Sequence, residues 1–233
     1  MLLLFLRITL FILIDFGMII LISPLFLLLF SFVNIIKKNN NNKNTIVVLI
    51  HGSGVKGWQW IIVEKYLYYY NIPYKSVNYD SSQKIYKSCQ DVMEQIISID
   101  NCSIDKKNVV LIGHSLGGLI ARVISSKMKI KLLFLINTPQ NGAIVINWLD
   151  SGASLSPAAY DLRYGSEFIT HLPAPNACQV HEIVGINDFI RPEHATTHGK
   201  NVYMSYFGHY FSAVNPYLWF GYIIPLIRTI GTD

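Results

Sequence analysis

The sequence predicts an α/β fold with a mostly parallel central sheet and helices on both faces. From residue 45 onward, short apolar runs alternate with helix-length segments, which is the pattern of parallel strands joined by crossover helices. The runs TIVVLI, NVVLI and KLLFLI are apolar at nearly every position, as expected of strands that are buried on both faces. Two of these runs lead directly into the glycine-containing turns HGSG and GHSLGG. The 233 residues are therefore expected to form one domain with an N-terminal appendage.

The appendage is an apolar segment that we expect to anchor the protein in a membrane. Residues 1–36 contain only Arg7 and Asp15 as charged side chains, and a membrane span needs about 20 apolar residues. We expect a single transmembrane helix, with a cleaved signal sequence as one alternative and a hairpin broken at Ser23-Pro24 as another. Lys37 and Lys38 follow the segment, so the positive-inside tendency favours the cytoplasmic side for the rest of the chain.

A polar tract separates this segment from the domain. Residues 37–44 are all lysine or asparagine, which indicates a solvated linker followed by a domain over residues 45–233. Of the formal net charge of +5, the first 44 residues contribute +3, from four basic side chains against one acidic side chain. Because the basic excess flanks the apolar segment instead of forming a patch, we expect no nucleic-acid partner.

The predicted elements follow the same alternation to the end of the chain. We expect strands at Thr45–Ile50, Tyr74–Tyr79, Asn108–Ile112, Lys131–Ile136, Val180–Val184 and Asn201–Tyr206. We expect helices in the segment that ends near Tyr70 and at Lys84–Ile99, Leu119–Lys127 and Tyr217–Ile227. The last of these is apolar but too short to span a membrane, and is expected to pack on the domain. The long connection over about 139–178 is expected to form a small lid.

The turn Gly113-His114-Ser115-Leu116-Gly117 joins a predicted buried strand to a predicted helix. This is the context that gives the pattern G-x-S-x-G its physical meaning, and a plain glycine-rich turn is the alternative. The serine must then adopt a strained backbone conformation. Side chains at Gly113 and Gly117 would collide with the adjoining strand and helix. We therefore expect the Ser115 hydroxyl to stand clear of the sheet edge as a nucleophile.

Five further motifs accompany this turn, and together they resemble the α/β-hydrolase superfamily, in particular its lipases and esterases. The resemblance covers most of residues 45–233. The segments concerned are VVLIHGSG at 47–54, LIGHSLGG at 111–118, NTPQNGA at 137–143, the stretch from Asp161 to Leu172, GIND at 185–188 and GHY at 208–210. They are similar to the family's oxyanion loop, nucleophile elbow, lipase-type turn and the stretch after it, acid loop and histidine loop. Small triacylglycerol lipases and lipase-like GPI-inositol deacylases are the branch that the chain resembles.

Acyl transfer requires a nucleophile, a base and a carboxylate that orients the base. In the family that this chain resembles, they occur along the chain in the order serine, acid, histidine. We expect Ser115 to be the nucleophile, Asp188 the acid and His209 the base. The backbone N–H groups of Leu116 and Ser53 are expected to form the oxyanion hole. No metal or other cofactor is expected, because the histidines lack the spacing of metal ligands.

Other side chains compete for two of these roles. Glu193 is the alternative acid, and His194 and His198 are alternative bases because they follow Asp188 in the chain. The remaining histidines either precede the acid or belong to the glycine turns: His51, His114, His171 and His181. His51 is expected to pack structurally and His114 to face the sheet.

The leading hypothesis is a membrane-anchored serine hydrolase that cleaves carboxylic esters, with acyl lipids as the expected substrates. Its partners would be an ester or lipid substrate and the membrane, and no obligate protein partner is evident. An acyltransferase with the same triad is one alternative, and a catalytically silent, membrane-tethered binding module is another. Trp58, Trp60 and the cluster Tyr66–Tyr70 either line an acyl site or form the buried face of a helix.

Overall fold

A computed structural model describes residues 44–100, 108–149, 155–185, 201–205 and 208–230, with single residues at 10, 13, 14, 17, 21, 188 and 190. The predicted anchor over 1–36 and the linker over 37–44 therefore lie almost wholly outside the described residues, and both stay predictions. Within the described part of the chain, no helix combines the length and the apolar character that crossing a membrane requires.

A six-stranded parallel sheet forms the centre of the domain. Its strands are β1 (Thr45–Ile50), β2 (Tyr74–Val77), β3 (Asn108–His114), β4 (Ile130–Ile136), β5 (Ala177–Gly185) and β6 (Asn201–Ser205). They lie in the order β2-β1-β3-β4-β5-β6, and every neighbouring pair is parallel. The predicted parallel sheet is confirmed. Strand β2 ends at Val77 instead of Tyr79, because the Gln95 side chain bonds both main-chain polar groups of Asn78.

Helices occupy the first four connections between strands and the segment after β6. They are α1 (Ile61–Tyr69), α2 (Ile85–Ile97), α3 (Leu116–Ser125), α4 (Ile144–Leu149), α5 (Pro157–Asp161), α6 (Glu167–Thr170), α7 (Phe211–Val214), α8 (Pro216–Leu218) and α9 (Ile224–Thr229). Single 3₁₀ turns cover Gly57–Trp60 and Ser98–Asp100, and a π-helical turn over Trp219–Ile223 joins α8 to α9. The final packed helix that the sequence predicts is thus built from three short pieces.

The two faces of the sheet bury separate apolar clusters, as the unbroken apolar runs predict. In β1, Ile46, Val48 and Ile50 pack with α2 and α3, whereas Val47 and Leu49 pack with α1 and the C-terminal helices. All six residues of β1 are buried. Successive side chains of a strand point to opposite faces, so a strand covered on both sides must be apolar throughout.

The aromatic side chains near α1 belong mainly to the second cluster. Trp60 and Tyr66 are fully buried in it, and Trp60 packs edge-to-face against Trp219 at 6.5 Å between ring centroids. Trp58 and Tyr68 are exposed to solvent. The buried-face interpretation therefore holds for Trp60 and Tyr66.

The connection between β4 and β5 is fastened to the two helices beneath it. Arg122 on α3 is buried and donates to the main-chain oxygens of Leu172 and Pro173. The Asp161 carboxylate accepts the N–H of Ile85 at 2.9 Å and so caps the first turn of α2 from another part of the chain. The described part of this connection holds the helices α4, α5 and α6.

Helix α3 approaches the sheet so closely that Gly117, on the helix, and Gly113, on β3, have no room for a side chain. A Cβ at Gly117 would collide with the carbonyl oxygens of Ile50 and His51, and one at Gly113 would collide with the carbonyl of Gly117. The expected need for glycine at both positions is confirmed. The obstacles are main-chain atoms, which cannot move aside as a flexible side chain would.

We expect Gly117→Ala to lower the free energy of unfolding by about 1–3 kcal/mol, the usual cost of overpacking. Urea unfolding followed by tryptophan fluorescence measures the change, because Trp60 and Trp219 are buried. Gly221→Ala is the matched control, since a Cβ there would meet nothing within 4 Å and should leave stability unchanged or slightly raised. Equal unfolding midpoints for the two variants would contradict the packing argument.

Candidate active site

The sequence-predicted site residues lie at the carboxyl ends of the central strands. The register pairs Ile50 with Gly113, His114 with Ile136, and Ile136 with Ile183, so these strands end at nearly the same level. The loops that follow them bring polar side chains to one edge of the sheet. That edge is where open parallel sheets bind their ligands.

Ser115 occupies the sharp turn between β3 and α3. Its backbone has φ 54° and ψ −121°, a conformation that costs energy for a residue with a side chain. The turn is held by the Ser115 N–H, which donates to the Ile136 carbonyl at 2.9 Å, and by the Gly118 N–H, which donates to the Ser115 carbonyl at 2.9 Å. The strained conformation that the sequence predicts is therefore present.

His209 and Asp188 form a buried pair beside this turn. His209 Nδ1 lies 2.8 Å from Asp188 Oδ2, and both side chains are only 1% exposed. Burial alone would raise the pKa of the Asp188 carboxyl, but the His209 charge and the hydrogen bonds from His209 and the Ile190 N–H hold it below its usual value. An ionised carboxylate only accepts hydrogen bonds, so His209 Nδ1 carries a proton, and Nε2 is an acceptor whenever the ring is neutral.

Ser115 and His209 line the same small cavity of about 140 Å³. Its apolar wall comprises Ala143, Val145, Ile146, Ala159, Leu162 and Ile190. Among the described residues, no hydrogen bond joins the Ser115 hydroxyl to the His209 ring. Such bonds are often long in unliganded enzymes and tighten when substrate binds. The structure thus brings the three predicted side chains to one place, with only the Asp188–His209 bond already closed.

The two main-chain N–H groups that the sequence predicts as oxyanion donors are those of Leu116 and Ser53. Leu116 is the first residue of α3, so its N–H has no acceptor within the helix. Ser53 lines the cavity, and in the described part of the chain its N–H makes no hydrogen bond. The amides on either side of it are occupied, because Gly52 donates to Gln59 Oε1 and Gly54 donates to Ser81 Oγ. Ser53 is therefore the loop residue with an amide available for a ligand.

Asn137 is a residue of the site to which the sequence interpretation assigned no role. It follows β4 with φ 47°, a conformation that asparagine tolerates better than most residues. Its Nδ2 donates to the carbonyl oxygens of Gly208 and His209, and its Oδ1 accepts the Gly185 N–H at 2.6 Å. One amide side chain therefore ties the histidine loop to the acid loop. The motif NTP after a buried strand was the available signal.

His114 also contacts the histidine loop, which the sequence interpretation did not anticipate. Its Nε2 lies 2.8 Å from the His209 carbonyl oxygen, and its Nδ1 lies 2.7 Å from Gln59 Nε2. Burial, and next the neighbouring His209, lowers the pKa of His114 to about 3. The ring is therefore neutral at physiological pH.

The remaining histidines have structural partners. His51 donates from Nδ1 to the Gly52 carbonyl and stacks on Tyr79 at 4.2 Å between ring centroids, as the structural interpretation predicted. His181 is bonded to the Tyr222 hydroxyl at 2.8 Å. His171 is exposed and bonded to the Glu167 carbonyl.

The alternative acid Glu193 and the alternative bases His194 and His198 lie outside the described residues. Within the residues that are described, no three histidine, cysteine or carboxylate side chains are grouped as metal ligands would be. Cys89, on α2, is buried and unpaired.

The comparisons with known proteins agree with this architecture. Residues 72–150 match the PGAP1-like alpha/beta domain. No curated protein matches the sequence. The mature lipase BlEst2 of Bacillus licheniformis is similar in structure, with a TM-score of 0.64 at 12% identity over 82% of this chain and 94% of that one.

Two further solved structures are similar. One is reported for the metagenome-derived lipolytic enzymes LipS and LipT, with a TM-score of 0.63 at 12% identity over 80% of this chain and 94% of that one. Lipase B of Aspergillus fumigatus has a TM-score of 0.57 at 16% identity, over 72% of this chain and only 45% of that one. Likenesses at such low identity establish the fold. The chain therefore has the α/β-hydrolase fold, and the three similar structures named here are those of lipases and lipolytic enzymes.

Proposed function

We propose that this protein is a serine hydrolase that cleaves carboxylic esters through an acyl-enzyme on Ser115. One observation carries the proposal: a serine on a strained strand-to-helix turn shares a cavity with a buried histidine that is bonded to a carboxylate. Nucleophilic catalysis by serine needs this set of groups, because the free hydroxyl is a weak nucleophile at neutral pH. The similarity of the fold to lipases and esterases supports the same class of reaction.

In the proposed reaction, Ser115 Oγ attacks the ester carbonyl while His209 Nε2 takes the hydroxyl proton. Asp188 stabilises the imidazolium that forms and keeps the ring oriented. His209 then returns the proton to the alcohol as it leaves, which completes the acyl-enzyme. A water molecule then attacks the acyl carbonyl and gives a proton to His209. His209 passes this proton to Ser115 Oγ as the acyl bond breaks, which releases the acid and restores the Ser115 hydroxyl.

The negative oxygen of each tetrahedral intermediate requires donors that are already in position. We propose that the N–H groups of Leu116 and Ser53 supply them. The first lies at the N-terminus of α3, where the helix dipole also favours negative charge. Losing one such donor typically costs about 3–4 kcal/mol of transition-state stabilisation.

The acyl group of the substrate fits the apolar wall of the cavity, and acyl lipids are the substrates that we propose. We also propose that residues 1–36 anchor the protein in a membrane with the domain on the cytoplasmic side. Residues 1–36 contain a run long enough to span, and basic residues follow it. An anchor of this kind would hold the cavity close to a surface where lipid esters are concentrated.

We expect Ser115→Ala to abolish ester turnover, with a loss of about 10⁴- to 10⁶-fold in kcat, because the nucleophile is gone. A fluorophosphonate probe should label the wild-type protein at Ser115 and leave this variant unlabelled. Ser126→Ala, beyond the other end of α3, is the matched control and should keep both label and activity. A labelled Ser115→Ala variant, or an unlabelled wild type, would refute the proposal.

Added alcohol as an acceptor would reveal acyl transfer through ester products.

We expect Asp188→Asn to lower kcat by roughly 10⁴-fold, because an amide cannot hold His209 with its Nδ1 proton or stabilise the imidazolium. The kinetics of a soluble ester measure this loss. Asp91→Asn on α2 changes the charge by the same amount away from the cavity and should leave kcat near the wild-type value. If Asp188→Asn lost less than about tenfold, the acid would have to be another residue, and Glu193 would be tested next.

We expect kcat/KM for aliphatic esters to rise about fourfold for each added CH₂ until the cavity is full, since each buried CH₂ contributes about 0.8 kcal/mol. A chain-length series from acetyl to dodecanoyl esters locates the maximum. Ala159→Leu should shift that maximum to shorter acyl chains, because the larger side chain would fill part of the cavity. Tyr160→Ala, on the same helix, should not shift it. An unchanged maximum in Ala159→Leu would place the acyl group elsewhere.

A further inference from the structure

We propose that Gln59 and His114 form a positioning pair that fixes the main chain at His209 and thereby aims the catalytic base. This inference rests on the function proposed above for Ser115 and His209. Neither residue has a part in the proton transfers of that reaction. They act through the backbone of the residue that does.

The pair belongs to one continuous chain of hydrogen bonds across the site. The Gly52 N–H donates to Gln59 Oε1 at 2.9 Å. Gln59 Nε2 lies 2.7 Å from His114 Nδ1, and His114 Nε2 lies 2.8 Å from the His209 carbonyl oxygen. The chain therefore joins the loop after β1, the turn after β3 and the histidine loop.

Each proton in this chain has only one consistent position. The His209 carbonyl can only accept, so His114 Nε2 must carry a proton. In the neutral ring Nδ1 is then an acceptor, and it takes a proton from the Gln59 amide nitrogen. That orientation turns Gln59 Oε1 toward the Gly52 N–H, which needs an acceptor. The amide orientation and the ring tautomer thus follow from the main-chain groups at the two ends.

This series of hydrogen bonds is intact only while the His114 ring is neutral. A protonated ring would present Nδ1–H to the Gln59 NH₂ group, and two donors would face each other. It would also put a positive charge beside His209, whose ring centroid is 4.8 Å away, when the base has taken up a proton. Burial, and next the neighbouring His209 ring, lowers the pKa of His114 to about 3, although the hydrogen bond to the His209 carbonyl and the Asp188 charge act in the opposite direction.

The pair contacts the main chain of the catalytic base itself, so it can set the direction of the His209 ring. The His209 carbonyl accepts from both His114 Nε2 and Asn137 Nδ2, so the main chain is held from two directions. On the other side, a Cβ at Gly52 would come within 2.9 Å of His114 Nδ1, so the loop packs directly on the ring. A displacement of the base by about 1 Å is enough to cost 100-fold in rate.

The test compares Gln59→Leu, His114→Leu and the double variant in the full-length protein with a soluble ester. We expect kcat to fall by about 10- to 100-fold in each single variant, with KM changed less than about twofold. Because Gln59 acts through His114, the double variant should lose no more than His114→Leu alone. His114→Gln can place an amide donor near the former Nε2 and should recover part of the loss.

A matched control separates positioning from general damage to the core. His181→Leu removes another buried histidine, on β5, whose ring nitrogens are hydrogen-bonded to the Tyr222 hydroxyl and to Gln179 Oε1. It should leave kcat within about twofold of the wild type. Losses that multiply in the double variant would overturn the proposal, as would single variants that fold normally and keep the wild-type kcat.

Nuclear magnetic resonance of the ring nitrogens tests the same chain without relying on turnover. In the wild type we expect His114 to stay the neutral Nε2–H tautomer from about pH 5 to 8. In Gln59→Leu, the Nδ1 proton signal of His209 should broaden as the ring loses its fixed aim. A charged or Nδ1–H form of His114 would overturn the inference. If the wild type failed to turn over esters, these signals would still test the pair, whereas the proposed function would fall.

Discussion

The close packing of helix α3 on the ends of β1 and β3 is the constraint on which the rest of the site depends. Because Gly113 and Gly117 have no side chains, the helix backbone comes against the Ile50 and His51 carbonyls. The chain can then turn from strand to helix only through the strained conformation at Ser115. The same turn aims the first N–H groups of the helix at the space above the sheet. The proposed nucleophile and the proposed oxyanion donor of α3 are therefore both consequences of one packing contact.

The other site residues are held mainly by hydrogen bonds to main-chain atoms. Asn137 bonds both the acid loop and the histidine loop, and His114 bonds the histidine loop from the opposite side. These contacts are uncharged, so they hold the loops without adding charge that would compete with Asp188 and His209. In the proposed reaction, His209 can then gain and lose a proton beside Asp188 while the backbone around the pair stays fixed.

Features that depend on neighbouring residues in the sequence were predictable, whereas features that depend on contacts between distant residues were not. Buried strands such as β1 need apolar residues on both faces, and the turn at Ser115 needs glycines on either side, so both were predictable. The end of β2 was not, because Gln95, 17 positions away, captures the backbone of Asn78. The roles of Asn137 and His114 depend on which loops meet in space, and no spacing in the chain reveals that. For the same reason, Trp60 and Tyr66 could be assigned to the core only from the packing.

Arg122 has a consequence for how such a domain diversifies. It holds the end of the segment between β4 and β5 through the carbonyl oxygens of Leu172 and Pro173, which every amino acid possesses. At this end of the segment the attachment is therefore indifferent to side chains, whereas near the segment's start Arg122 also donates to the Gln140 side chain. Mutations can accumulate around Leu172 and Pro173 without loosening this part of the anchorage, whereas Gln140 and Asp161 hold the segment through their side chains. Such a domain can acquire a new substrate preference during evolution while the turn that holds its proposed nucleophile is inherited unchanged.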